Sequence, residues 1–70
     1  MGKLTWKKLG NRQWESVSKD KKYDFVIDGR DGMNVLIVFN NKIKDKEKAF
    51  IENFELDSID EAKKEAEEYK

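Results

Sequence analysis

Carboxylates are the only abundant side chains in this 70-residue chain that could do chemistry. It has no histidine and no cysteine. The commonest general base, the thiol nucleophile, the disulfide and the zinc–thiolate site are therefore excluded. Asp28 and Asp31 flank a turn, Gly29-Arg30-Asp31-Gly32, and could offer oxygens to a divalent cation. A calcium loop needs Asp or Asn at every second position before its glycine, and Arg30 breaks that pattern. A charged hairpin tip is the simpler reading. There is no Gly-rich phosphate loop and no Ser/His constellation, and so small a domain offers little cleft for a carboxylate pair to act on a substrate. The expectation is a protein that is not an enzyme, with no metal and no cofactor.

What remains is binding chemistry, and the charges are sorted along the chain. Residues 1–22 carry seven Lys/Arg against two Asp/Glu, residues 23–48 five of each, and residues 49–70 three Lys against eight Asp/Glu. The ends are thus +5 and −5 in a chain of zero net charge. The basic end also holds both tryptophans. Lys3, Lys7, Lys8, Arg12, Lys19, Lys21 and Lys22 could contact phosphates while Trp6 or Trp14 stacks a base. Against this, two tryptophans in a tiny domain are core material, and lysines keep an edge strand soluble.

The acidic end offers a second surface. Glu61, Glu65 and Glu68 lie along one flank of an expected helix, with Asp60 and Glu67 near it. Such a row could bind a basic protein surface, including one that otherwise holds nucleic acid. The plainer reading is a solvated helix face, diluted by Lys63 and Lys64. Glu61 and Glu65 are also a like-charged i,i+4 pair, which Asp60 with Lys64 partly offsets.

These residues must be positioned by a short list of elements. The pattern predicts strands over about 4–9, 13–18, 23–28, 33–40 and 49–56, and a helix over about 58–69, all in one domain. Gly10-Asn11 closes the first hairpin; Trp6 faces Trp14 if the loop is Leu9-Gly10-Asn11. Tyr23–Asp28 alternates as a half-buried strand. A three-residue loop with Gly32 in the left-handed region would pair Tyr23 with Phe39, Phe25 with Ile37 and Ile27 with Val35. Residues 33–40 are apolar on both faces and suit a central strand, and 42–48 read as a solvated loop. The fifth strand would turn Phe50, Phe54 and Leu56 to one face. Ser58 with Glu61 fits a capping box, and Ile59, Ala62, Ala66 and Tyr69 form the apolar stripe behind it. The fold class is α+β: an antiparallel four- to five-stranded meander with one C-terminal helix on one face. That leaves the opposite face uncovered, with Val26, Leu36 and Val38 and Ile51 beside them. An exposed patch there invites a partner protein or a homodimer.

The chain is 43% charged, but eight aromatics and clear periodicity argue against disorder. The longest apolar run, Val35–Phe39, is far short of the ~20 residues of a membrane span. The start lacks the apolar core of a signal peptide, and Trp6 stands where a myristoylation signal wants Ser or Thr. A cytoplasmic protein without membrane contact is expected.

Leu4-Thr5-Trp6-Lys7-Lys8, Trp14-Glu15, Tyr23-Asp24-Phe25-Val26-Ile27 and Leu56-Asp57-Ser58-Ile59-Asp60-Glu61-Ala62-Lys63 together resemble small proteins of phages and mobile elements. Those share a Trp-rich first hairpin, a Tyr-x-aromatic/aliphatic-x-Ile strand and a closing helix opened by Ser/Thr-x-x-Glu-Ala-Lys. The resemblance implies a mobile-element context. The closing segment is also similar to the end of the integrase arm-binding domain, a three-stranded sheet plus helix that reads DNA with its sheet. That family has a basic sheet, whereas this chain places Glu52, Glu55 and Asp57 there. The leading expectation is a non-enzymatic protein-interaction module, phage-encoded, that binds and modulates a host protein. It would use Glu61, Glu65 and Glu68 or the face bearing Val26, Leu36 and Val38. The alternative is a nucleic-acid-binding module using Lys7, Lys8, Arg12, Trp6 and Trp14.

Overall fold

Alternation in the third segment and apolarity on both sides of the fourth make these the central strands of one open antiparallel sheet. The computed structural model describes residues 4–30 and 32–69. It contains β1 (Lys7–Gly10), β2 (Gln13–Val17), β3 (Tyr23–Asp28), β4 (Asn34–Asn40), the short α1 (Lys46–Ala49), β5 (Phe50–Leu56) and α2 (Ile59–Glu67). The strands lie in chain order, so each pairs with its sequence neighbour. The predicted meander with a C-terminal helix is the observed fold.

The core forms where α2 meets β3 and β4. Phe25, Ile27, Leu36 and Val38 are fully buried beneath Ala62 and Ala66. The two alanines let the helix backbone approach the sheet closely. Leu4, Trp6, Trp14, Tyr23, Phe54, Leu56, Ile59 and Tyr69 complete this layer as partly buried side chains. The Ser58 hydroxyl accepts the Glu61 backbone N–H at 3.1 Å, which is the expected N-cap.

The β3–β4 register differs from the expected one by one residue. Phe25 pairs with Val38 and Ile27 with Leu36, because the connection is longer than a three-residue loop. Gly32 does adopt φ +77°. One residue of slip exchanges the two faces of a strand. Leu36 and Val38 therefore point into the core, and Val35, Ile37 and Phe39 turn to the uncovered face. Both faces of β4 are apolar, so the hydrophobic pattern could not choose between them. The packing can: a helix seated on two alanines leaves room for Leu and Val, while Phe39 finds Phe50 edge-on at 6.3 Å on the other side. Asn34 takes the core face at the strand start, its amide reaching the Leu56 carbonyl and its oxygen the Arg12 guanidinium, both at 3.4 Å.

β5 departs from expectation for a related reason. Val38 pairs with Glu52 and Phe39 with Phe50, leaving Ile51 as an extra residue in a bulge. The bulge separates Phe50, on the open face, from Phe54 and Leu56 beside α2. The expected loop over 42–48 contains one helical turn instead. Asp45 caps it by accepting the Glu47 N–H at 3.0 Å, and Ala49 is buried.

Candidate protein-interaction surface

The placement of α2 decides which of its carboxylates face outward. With Ala62 and Ala66 on the sheet, residues 61, 65 and 68 fall on one flank and 63 and 67 on the other, at about 3.6 residues per turn. Two contacts fix which flank is which. Lys63 Nζ lies 5.4 Å from the Trp14 ring centre on β2, and Glu67 accepts the Leu4 N–H at 3.4 Å. That flank therefore looks toward β1 and β2, and Glu61, Glu65 and Glu68 look toward the β5 side. All three are exposed. The ion pairs among the described residues are Arg30–Asp28 at 3.1 Å and Lys46–Asp24 at 3.6 Å, so none neutralises this flank.

The carboxylates of β5 continue the acidic surface. Glu55 and Asp57 are exposed. Glu52 lies on the α2 side of the strand, where its carboxylate accepts the Tyr69 hydroxyl at 2.5 Å. Burial first, and then this bond and the neighbouring negative charge, push the Tyr69 hydroxyl up to about 12. Tyr69 packs edge-on against Tyr23, Phe25 and Phe54, which ties the C-terminal end of α2 to the sheet.

The uncovered sheet face carries Val26, Val35, Ile37 and Phe39, all half-buried, with Val17 and Phe50 exposed beside them. Of the expected patch only Val26 is there. Leu36 and Val38 are removed from any surface by the register already described. Ile51 is exposed, but in the β5 bulge. Lys46 covers one end of this face, with its ammonium 4.5 Å from the Phe39 ring centre and paired to Asp24.

The basic hairpin is organised around packing. Lys8 pairs with Trp14, so Trp6 and Trp14 are offset by two residues rather than opposed. Both indoles rest against the core. Trp14 lies between Lys8 at 5.9 Å and Lys63 at 5.4 Å. Arg12 has φ +57°, and its Nε donates to the Gly29 carbonyl at 2.8 Å, so it locks the first turn to the β3 end. Lys7, Lys8 and Arg12 remain exposed. Lys3 and Asp31 lie outside the described residues. Asp28 is occupied by Arg30, whose guanidinium and backbone N–H hold its carboxyl below the ordinary value.

A cleft of about 360 Å³ lies between the β2–β3 turn and the end of α2, lined by Lys19, Asp20, Lys22, Tyr23, Glu67 and Tyr69 among others. Its charges are mixed. Among the described residues no group of three or more acidic side chains could hold a metal ion, and no helix is long and apolar enough to cross a membrane.

No family model, curated protein or solved structure matches this chain. Sequence reasoning found the acidic flank but missed its alignment with β5, since only the contacts of Lys63 and Glu67 orient the helix about its axis. It also missed Val35, Ile37 and Phe39 as the open-face residues. An odd residue in the 29–33 connection was the signal available.

Proposed function

We propose that this protein is a small non-enzymatic binding module that occupies a basic surface of a partner protein with the acidic flank of α2. The observation that carries this reading is the exposure of Glu61, Glu65 and Glu68 on one flank with no cation paired to them among the described residues. The basic strand β1 lies at the far edge of the sheet from β5. The lysines of β1 and the carboxylates of β5 are thus held apart and leave a field outside the molecule. A basic protein surface is the complement, and one that otherwise grips nucleic acid would be blocked by it. This accords with the mobile-element context that the sequence resemblance implies, in which the module would act on a host protein.

The test is reversal of the flank by Glu61→Lys, Glu65→Lys and Glu68→Lys together. All three sites are exposed, so circular dichroism and the urea midpoint should stay close to those of the parent. A host protein captured by the parent should be lost, and its association rate should fall as salt rises. Retention of the same partner by the folded triple variant would overturn the reading.

A further inference from the structure

The two edges of the sheet are unlike. β1 is four residues long, is bulged between Lys8 and Gly10 and carries two lysines, all devices that discourage strand addition. β5 is seven residues long, and after its bulge at Ile51 it runs regularly from Glu52 to Leu56. Among the described residues its only strand neighbour is β4. Among the described residues no backbone group outside β4 pairs with β5 between Ile51 and Glu55. Residues 50–57 hold Glu52, Glu55 and Asp57 and no lysine or arginine. Glu55 stands on the open face, Glu52 on the α2 face, and the Glu61, Glu65 and Glu68 flank looks toward the same edge.

We infer that the β5 edge is a strand-addition site for an extended, basic segment of a partner protein. The segment's backbone would pair with the free β5 groups. Its side chains would alternate between the two faces. On one face they would meet Glu52 and the α2 carboxylates, and on the other Glu55 and the exposed Phe50. Lysine or arginine on the α2 face and an aliphatic residue beside Phe50 is the pattern this edge selects. A second copy's β5 is disfavoured, because it would line carboxylates along both sides of one seam. A second copy's β1 has the right charge, but its bulge interrupts the ladder within four residues.

This inference rests on the acidic-surface reading and specifies how the partner is held. The probe is a nine-residue peptide alternating lysine and valine, blocked at both ends, titrated into the isotope-labelled protein. A matched peptide with glutamate for lysine is the control. The lysine peptide should shift amides of residues 50–57 and slow hydrogen exchange at alternate β5 amides, and the glutamate peptide should do neither. Glu61→Lys with Glu65→Lys, on the side that meets the peptide's lysines, should weaken binding about tenfold. N-methylation of alternate peptide amides, made in both frames, should abolish binding in one frame, since only strand addition needs those donors. Binding that survives methylation in both frames overturns the inference. So does a response confined to Glu61, Glu65 and Glu68 with β5 exchange unchanged, an outcome that leaves the acidic-surface reading standing. Equal binding of the glutamate peptide overturns it, as does protection of β5 by self-association in the free protein.

Discussion

Gly29 shows how tightly single residues are held near the β3 end. It is buried, and a Cβ there would come within 3.1 Å of Ile59 Cδ1 and 3.2 Å of the Arg12 guanidinium and the Asn34 amide oxygen. Those neighbours belong to α2, the first turn and β4, and each would have to give by a few tenths of an ångström at once. Gly29→Ala should cost about 1–3 kcal/mol in urea unfolding. Tyr69 makes a different kind of prediction. Its folded pKa, about 12, stands above its ordinary value of 10.0. The folded state therefore keeps this proton longer than the unfolded chain does. The stabilisation is fully present below pH 10 and is lost as pH rises toward 12. Absorbance titration should show one phenol ionising late, and Tyr69→Phe should remove both that transition and its share of the alkaline loss of stability. Trp6 and Trp14 could not be assigned from their types, because aromatic residues serve cores and nucleic-acid surfaces equally well. Their contacts with the core supply the packing role.

At the scale of elements, legibility followed local signals. β3 begins and ends where its alternation does, and the N-cap of α2 stands at Ser58. Ser58→Ala should lower stability by about 1 kcal/mol, measured by thermal or urea unfolding, because the Glu61 N–H loses its acceptor. What failed was parity. The faces of β4 and the split of Phe50 from Phe54 each depend on one extra residue, in the 29–33 connection and in the Ile51 bulge. Such residues leave no hydrophobic signature when both faces of a strand are apolar. The α1 turn was hidden similarly, since its charged sequence differs from a solvated loop only by Asp45 as a cap and Ala49 as an anchor. The acidic flank of α2 was visible from spacing, but its direction depended on tertiary contacts.

Across the whole molecule, charge separation and strand order are one fact. A meander places the beginning of the sheet at one edge and its end at the other, so the lysines of β1 and the carboxylates of β5 are sorted in space. Lowering salt should therefore speed association with a basic partner much more than with a neutral one, which stopped-flow mixing with a fluorescently labelled partner can follow. The same order has a temporal consequence. Every strand finds its partner next door, so the sheet can assemble with short loop closures as the chain lengthens. The helix that covers it follows β5 in the chain. Until α2 docks, Phe25, Ile27, Leu36 and Val38 stand bare on a finished sheet. A chain with α2 undocked would thus present an apolar plate to holdase chaperones, and docking of the helix would withdraw it.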